Sequence, residues 1–375
     1  MLRNLTKWGL AAGLSRSGLL GIMGSARRTR EKPLIVGYHR VVQDFERSAR
    51  TCIPSMLISA RMLERQLDWL RGHYRVIALE EMANLLAKGR PAAGTVAITF
   101  DDGYRDVYEN AFPILERRGI PATIFAVADL IGTSRPLNHD RLYGLLARAL
   151  WGATAPADVL AGLYRDCRLP MPDARILERA SRTPFTALRL FLETLSQPAI
   201  LSAIARLESR FGAQPTEDGL ALTWDMIDEM RPAGVTIGSH GKTHALLTHE
   251  SRDRKHDEIS GSRQMLEARL KTPVEHFAYP DGKFDSSTVI ATAAAGYRFA
   301  YTACGHRDPA FPLLTLPRRI LWEHAAVEAR GAFSTSVMDC LVSGTFDALS
   351  PCRQTHGPGI DDQPHLGAVW SGTTS

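Results

Sequence analysis

The sequence predicts an α/β fold in which parallel strands form a sheet or barrel. From Pro33 onward, short runs rich in β-branched and aromatic residues alternate with helical stretches, which is the pattern of repeated strand–helix units. The 375 residues include 45% hydrophobic residues, enough for one large core, and α/β barrels commonly form a single domain of 200–250 residues. We therefore expect one large domain with insertions.

The expected elements alternate regularly along the chain. The strands lie at 34–38, 75–79, 95–100, 122–127, 235–239, 276–279, 299–302 and 314–320, and the helices between them lie at 60–71, 79–88, 104–118, 223–231, 254–270 and 286–295. Helix stops support this order, because Gly119 can adopt the left-handed cap, Pro121 cannot continue a helix, and Gly234 ends the helix before the next strand.

Three segments depart from the alternation. Residues of about 133–222 carry amphipathic stretches at 140–151, 185–195 and 199–211, which predict a helical insertion at the barrel mouth rather than a separate domain. We expect the main domain to cover 33–325. Residues 326–375 form a C-terminal extension whose Gly-, Pro- and Ser-rich tail predicts disorder.

The first segment, residues 1–32, is basic and has no acidic residue before Glu31. Arg16 interrupts its apolar runs, so neither approaches the ~18 apolar residues of a membrane-spanning helix. The pattern predicts a basic amphipathic helix that either lies on an anionic membrane surface or is a frayed or core-docked terminal helix. An export signal is a weaker alternative, so we expect a cytoplasmic protein, either peripheral at the inner membrane or without membrane contact.

The composition indicates which class of partner and which cellular compartment to expect. A formal charge of +5, from 45 basic and 40 acidic residues, is a mild excess that favours solubility over nucleic-acid binding. The five cysteines are odd in number and widely scattered, which argues against a disulfide framework and against a thiolate zinc site. A reducing compartment is the simpler interpretation.

Two adjacent aspartates and a pair of histidines are the residues that indicate a reactive site. Asp101 and Asp102 end an apolar strand before Gly103, and His240 and His244 follow another strand. Two neighbouring carboxylates reach one site only where the strand ends and turns, since successive strand residues point to opposite sides. Alone, each pair is also typical of a strand-ending turn or of ordinary histidines. Together they supply the makings of a hydrolytic metal site.

These residues lie in motifs that resemble the conserved boxes of the polysaccharide deacetylase family, also called the NodB-homology or carbohydrate esterase 4 family. The motifs are Thr-Phe-Asp-Asp-Gly-Tyr at 99–104, His-Gly-Lys-Thr-His at 240–244 and Tyr-Pro-Asp-Gly at 279–282. Segments 38–41 and 121–125 resemble flanking segments of bacterial members. The resemblance spans roughly 33–320, apart from the insertion, and its boxes occur in the family's order.

The resemblance implies a distorted (β/α)7-type barrel with a helical insertion and one divalent metal, usually zinc. It makes Asp102, His240 and His244 the metal ligands and Asp101 the general base. One acid and two imidazoles leave a position open for water, as in catalytic zinc sites, and a second carboxylate stays free to take a proton. Tyr279, Pro280 and Asp281 would line the groove, with the Asp281 backbone N–H facing the oxyanion.

The sequence departs from the family pattern at three points. The arginine that the family places two residues before Pro280 is Ala278 here, which leaves Arg318 or Arg319 as a replacement, and the usual aromatic residue after the proline is Asp281. The family takes its general acid from a Leu-x-His box that does not appear here. His324 and His39 are the candidate acids, and each is equally compatible with a packed or exposed histidine.

The resemblance implies an enzyme that removes N-acetyl groups from N-acetylhexosamine units of a polysaccharide or lipid-linked saccharide, in bacterial surface or exopolysaccharide biosynthesis. Its partner would be an N-acetylated glycan, with possible contact to an anionic membrane and no nucleic acid. Two alternatives stay open, a deacylase of another amide or ester and a non-catalytic glycan-binding barrel.

Overall fold

The computed structural model of the protein describes residues 32–90, 92–213 and 220–347, together with Cys352 and His356. The predicted N-terminal segment and most of the predicted tail lie outside these residues. Within the described ranges, no helix is both long and apolar enough to cross a bilayer.

A nine-stranded sheet forms the centre of the fold, and all its described strand pairs are parallel. Its strands are β1 (Leu34–Tyr38), β4 (Arg75–Val76), β5 (Thr95–Phe100), β6 (Ala122–Ala126), β7 (Val235–Ser239), β8 (His276–Ala278), β9 (Phe299–Thr302), β10 (Leu316–Pro317) and β11 (Arg319–Ile320). Their order is β10-β9-β8-β7-β6-β5-β1-β11, and β4 pairs with the start of β5. Two further strands, β2 (Arg40–Val42) and β3 (Leu57–Ser59), form a separate parallel pair.

The two edge strands of this sheet are consecutive in the chain. β10 pairs with β9, β11 pairs with β1, and Arg318 alone separates β10 from β11. The sheet is therefore almost closed into a barrel, and its helices lie around the outside. This confirms the predicted α/β barrel class and explains why the predicted strand at 314–320 appears as two short strands, each with its own partner.

The helices follow the strands in the order that the sequence predicts. They are α1 (Phe45–Ser48), α2 (Ala60–His73), α3 (Leu79–Ala87), α4 (Phe112–Arg118), α5 (Asn138–Leu150), α6 (Pro156–Asp166), α7 (Ala174–Ala180), α8 (Pro184–Thr194), α9 (Gln197–Phe211), α10 (Trp224–Met230), α11 (Arg252–His256), α12 (Ser262–Leu270), α13 (Ser286–Ala294) and α14 (Thr335–Val342). Helix α14 lies within the predicted C-terminal extension. Helices α6 and α7 were not predicted.

The predicted helix at 104–118 begins with a wider turn, a π-helical stretch at Val107–Ala111, before α4 starts. Pro113 explains the change, because it has no N–H to donate to the preceding turn of an α-helix. A similar wide turn, Asp257–Gly261, joins α11 to α12.

The five helices α5–α9 between β6 and β7 have a hydrophobic core of their own. Leu145, Leu163, Phe191 and Ile204 are among its buried members, and Ile53 and the partly buried Met56 contribute to it from outside the insertion. The larger core lies between the sheet and the outer helices. The insertion is thus held together largely by its own apolar contacts, while Leu137 and Leu222 at its two ends belong to the larger core.

Candidate active site

The predicted site residues converge at the carboxyl ends of the parallel strands. Asp101 and Asp102 follow β5, His240 follows β7, and His39 follows β1. Parallel α/β barrels place their reacting groups at this edge, because the loops after neighbouring strands meet there.

A tight backbone turn lets both aspartates face the same site. Asp102 has a φ of 70° and Gly103 a φ of 72°. A side chain at Gly103 would lie 3.1 Å from the Ala126 Cβ, so only glycine allows β5 to turn this close to β6. The turn is thus fixed by backbone geometry and by close packing.

Asp102, His240 and His244 form a compact cluster, as predicted. Oδ1 of Asp102 lies 3.5 Å from Nε2 of His240 and 3.2 Å from Nε2 of His244. The two imidazole rings are 4.9 Å apart in an edge-to-face arrangement. One carboxylate oxygen and two ring nitrogens therefore converge on one point.

The local contacts prepare His240 to bind a metal. Its Nδ1 donates to the backbone carbonyl of Ala278 over 2.7 Å, which leaves the lone pair of Nε2 directed at Asp102. Burial lowers the pKa of His240 to about 4, so its ring is neutral near pH 7. Ala278, where the family has an arginine, thus orients a predicted ligand through its main chain.

The donor set fits a divalent metal. Asp102 is buried, and neither of its carboxylate oxygens has a partner with hydrogen-bond geometry in the described part of the chain. Burial alone would raise the pKa of Asp102, but His244, together with His39 and His139, outweighs burial and keeps that pKa well below its ordinary value. A buried carboxylate without hydrogen bonds is costly unless a cation faces it. The cluster could hold a metal ion, and nothing in it selects zinc over other divalent ions.

Asp101 is held by Arg318 and not by Arg319. The Arg318 guanidinium donates two parallel hydrogen bonds to the Asp101 carboxylate, of 2.6 and 2.7 Å, and a third of 3.2 Å to Thr99 Oγ1. Burial alone would raise the pKa of Asp101, but the charge and hydrogen bonds of Arg318, together with the nearby His240 and His39, outweigh burial and lower the pKa. Arg319 pairs with Asp347 at the surface instead.

The two candidate general acids differ in position. His39 Nε2 lies 4.0 Å from Asp101 Oδ2, and its side chain is 20% exposed. His324 packs against Phe45 and Trp322, and none of its contacts in the described ranges joins it to Asp101 or to the cluster. The structure therefore brings His39, and not His324, to the candidate site.

The Tyr-Pro-Asp-Gly box contributes mainly through its backbone. The ring of Tyr279 is buried and its hydroxyl donates to the Leu314 carbonyl, so this side chain packs in the core. Pro280 begins a short 3-10 turn, Pro280–Gly282, which lies next to the histidine loop, residues 240–244. Asp281 adopts a φ of 57°, and its carboxylate accepts hydrogen bonds of 2.8 and 2.9 Å from Arg189 in α8.

The insertion supplies site residues that the sequence analysis missed. His139 at the start of α5 is buried, and its ring centroid lies 4.9 Å from that of His244. The buried Tyr104 hydroxyl donates to Asp140 over 2.7 Å and lies 2.8 Å from His139 Nε2. Sequence position gave no signal, because contact between α5 and the histidine loop depends on how the insertion packs.

The histidine loop is also fixed from behind. Glu258 accepts hydrogen bonds from the backbone N–H groups of Lys242 and Thr243 and from the Thr243 hydroxyl, and Gln197 of α9 donates to the Thr243 carbonyl. The contacts of Thr243 therefore fix the loop that carries both imidazoles.

Comparisons with known proteins agree with this site. The chain is 32% identical over 117 residues to the poly-beta-1,6-N-acetyl-D-glucosamine N-deacetylase of Staphylococcus epidermidis (strain RP62A), and 32% identical over 119 residues to the enzyme of the same name from Staphylococcus aureus (strain N315). Each match covers 29% of this chain and 40% of the relative. The chain therefore spans only about two fifths of the length of these relatives.

A solved structure shows the same fold. The Streptococcus pyogenes deacetylase PplD in complex with acetate aligns with a TM-score of 0.51 and 19% sequence identity, over 83% of this chain and 98% of that one. The polysaccharide deacetylase family model matches residues 88–160 and 186–300, which include Asp101, Asp102, His240, His244 and Asp281 and skip only part of the insertion between them. With the barrel, the ordered boxes and this match together, the chain belongs to the polysaccharide deacetylase family.

Proposed function

We propose that this protein is a metal-dependent hydrolase that removes N-acetyl groups from N-acetylhexosamine units of a glycan. One observation carries the proposal: a buried three-donor cluster of Asp102, His240 and His244 stands beside a separate carboxylate, Asp101, that Arg318 keeps ionised. A metal site and a free base are the two parts that amide hydrolysis by a bound water requires. The Arg318 pair disfavours a non-catalytic barrel, because glycan binding alone has no evident need for this base.

The relatives support the substrate class. Both staphylococcal proteins are named for a polymer of β-1,6-linked N-acetyl-D-glucosamine, and we propose the same class for this chain, in the biosynthesis of a bacterial exopolysaccharide. A lipid-linked saccharide with the same sugar presents the same N-acetyl group. A polymer of N-acetylglucosamine is therefore the first substrate to test.

In the proposed mechanism, Asp101 acts as the base for the attacking water. A divalent ion held by Asp102, His240 and His244 would lower the pKa of a bound water toward ~7 and polarise the scissile carbonyl. Asp101 takes one proton from the water as its oxygen forms a bond to the carbonyl carbon. Arg318 holds the Asp101 carboxylate by both oxygens, so the base keeps one orientation throughout.

Two other groups stabilise the developing negative charge and protonate the leaving nitrogen. The backbone N–H of Asp281 donates to the oxyanion, in a loop fixed by Arg189 and by the Pro280–Gly282 turn. His39 then gives a proton to the amide nitrogen as the C–N bond breaks. The products are acetate and a free amine on the sugar.

Acetate release from a panel of glycans, with metal analysis of the same preparation, tests the proposal. The panel contains β-1,6-linked and β-1,4-linked N-acetylglucosamine oligomers and a simple acetyl ester. We expect the metal-loaded protein to release acetate from the β-1,6 oligomers, with a matching increase in free amines. Release from the ester alone would favour a different deacylase. Binding of the oligomers without any release would favour the glycan-binding barrel.

We also propose that residues 1–32 bring the protein to the cytoplasmic membrane surface, a proposal supported by the seven basic residues of this segment and by its lack of acids before Glu31. Flotation with vesicles of anionic lipid tests it. We expect binding that falls with added salt and is lost when residues 1–31 are deleted. Equal binding to neutral vesicles contradicts the proposal.

A further inference from the structure

A second cluster of metal-binding side chains lies away from the deacetylase centre. Cys304 follows β9, and Cys352 and His356 come from the C-terminal segment. Nε2 of His356 lies 3.6 Å from Cys304 Sγ and 3.3 Å from Cys352 Sγ. All three donor atoms lie within 4.8 Å of one another.

These distances match a tetrahedral zinc site. With Zn–S bonds of about 2.3 Å and Zn–N bonds of about 2.0 Å, a sulfur and a nitrogen at two corners of a tetrahedron lie roughly 3.5 Å apart. Both sulfur–nitrogen distances here are close to that value. The three side chains therefore converge to ligand spacing without any rearrangement of the backbone.

The orientation of His356 also points to a metal. Its Nδ1 lies 3.1 Å from the backbone carbonyl of Phe284, and donation to that carbonyl leaves the lone pair of Nε2 facing the two sulfurs. Its ring stacks on Phe284 at 4.3 Å and on His306 at 4.2 Å between centroids. A carbonyl that fixes the far nitrogen of a histidine is the usual second contact of a metal-bound imidazole.

The spacing of the cysteines in the sequence argues against a thiolate zinc site, but the fold brings Cys304 and Cys352 together. We propose that these two cysteines and His356 bind a zinc ion that is distinct from the ion of the deacetylase centre. Two thiolates and one imidazole select a soft or borderline ion such as zinc and reject magnesium and calcium, which require oxygen ligands. The fourth position is left to water or an added ligand. Both thiols release their protons on binding, since only thiolates coordinate zinc.

The position of the cluster gives it a structural effect. Cys304 follows Ala303, whose backbone and Cβ lie so close to Gly282 that a side chain at Gly282 would collide with them. Gly282 ends the box that carries the Asp281 N–H. Zinc at this cluster therefore ties the C-terminal segment to the loop beside the proposed oxyanion site.

Metal titration of the reduced full-length chain tests the proposal. After removal of metal with a chelator, we expect wild type to bind about two zinc ions, and Cys352→Ser and His356→Gln to bind about one. Cys352 is exposed, so the serine variant keeps its packing. Cys167→Ser, which changes a cysteine of the insertion core, is the matched control and should still bind about two.

Cobalt spectra identify the ligands independently of activity. Cobalt-loaded wild type and His240→Ala should both show thiolate-to-cobalt charge-transfer absorption, and Cys352→Ser should lose it. The His240→Ala arm separates this cluster from the deacetylase centre, so the two proposals can fail separately. Absence of the thiolate band in wild type, its retention in Cys352→Ser, or a Cys304–Cys352 disulfide under thiol reductant overturns the proposal.

Discussion

Three residues of the candidate site hold a backbone conformation that side chains usually avoid. Asp102, His244 and Asp281 have φ angles of 70°, 62° and 57°, and they are three of the five non-glycine residues with positive φ in the described ranges. Each such residue costs roughly 1–3 kcal/mol and persists only where its surroundings impose it. Here the surroundings are the ligand cluster and the Arg189 contact. The strained residues therefore lie where the proposed catalysis depends on exact atomic positions.

Substitutions at Asp101 and at His240 distinguish loss of the base from loss of the metal. We expect Asp101→Asn to keep its metal and to lose activity by about 10²–10⁴-fold, because it removes only the base. His240→Ala should lose both metal and activity, because it removes a ligand. Metal analysis and acetate release on the same samples measure both effects. An Asp101→Asn protein that turns over near the wild-type rate would refute the assignment of the base.

A conservative substitution tests the two parallel hydrogen bonds that Arg318 donates to Asp101. Arg318→Lys keeps the charge but cannot donate two parallel hydrogen bonds, so we expect kcat to fall about tenfold or more at unchanged metal content. Arg319→Lys is the matched control, because Arg319 pairs with Asp347 at the surface and does not contact Asp101. This variant should change the free energy of unfolding by about 0.5 kcal/mol or less. Equal kcat values for the two variants would contradict a role for Arg318 in holding the base.

At the scale of elements, the local motifs were predictable and their distant partners were not. Asp101, Asp102, His240 and His244 lie within short segments at strand ends, where residue type and the resemblance of the boxes to the family together identified them. The replacement for the family arginine was narrowed only to Arg318 or Arg319. Choosing between them depends on strand pairing 217 residues from Asp101, which sequence spacing does not encode. His139 and Arg189 were missed for the same reason.

Helix α8 connects the insertion to the oxyanion loop. Arg189→Met removes both hydrogen bonds to the Asp281 carboxylate, so Asp281 can leave its unfavourable φ and displace its N–H. We expect kcat to fall about tenfold, below the 10²–10³-fold cost of deleting an oxyanion donor outright, with a smaller change in KM. Arg141→Met breaks a comparable ion pair with Glu208 inside the insertion and should leave kcat unchanged. Steady-state kinetics that show the same loss in both variants would point to a general effect of the insertion.

The longer strands were predicted better than the short ones. The strands at 34–38, 95–100, 235–239 and 299–302 have the predicted bounds, because apolar runs buried on both faces are distinctive. The predicted strand at 75–79 is shortened to Arg75–Val76, and β2 and β3 were missed. Strands this short bury too few residues to leave a periodic signal.

For the whole molecule, a buried histidine far from the metal cluster predicts pH-dependent stability. His276 begins β8, and its Nδ1 bonds the Tyr301 hydroxyl at 2.8 Å. Burial lowers its pKa to about 4, so the folded state stays unprotonated while the unfolded state gains a proton below about pH 6.5. Stability is therefore lost as pH falls from about 6.5 to 4 and changes little above that range.

A neutral replacement should remove this pH dependence. Between pH 7 and 5, we expect the unfolding free energy of wild type to drop by about 2 kcal/mol more than that of His276→Asn. Urea unfolding of metal-loaded samples at both pH values measures the difference, in which contributions from other groups cancel. Parallel losses in the two proteins would show that His276 does not resist protonation in the fold.

The way in which the barrel closes has a consequence for biosynthesis. A ribosome makes Asp101, Asp102, His240 and His244 well before residues 316–320, which join the two edges of the sheet and bring Arg318 to Asp101. A nascent chain that stops after β9 has every metal ligand but neither a sealed sheet nor a counter-charge for its base. In the proposed mechanism, completion of the barrel and acquisition of a fully positioned base are consequently one event.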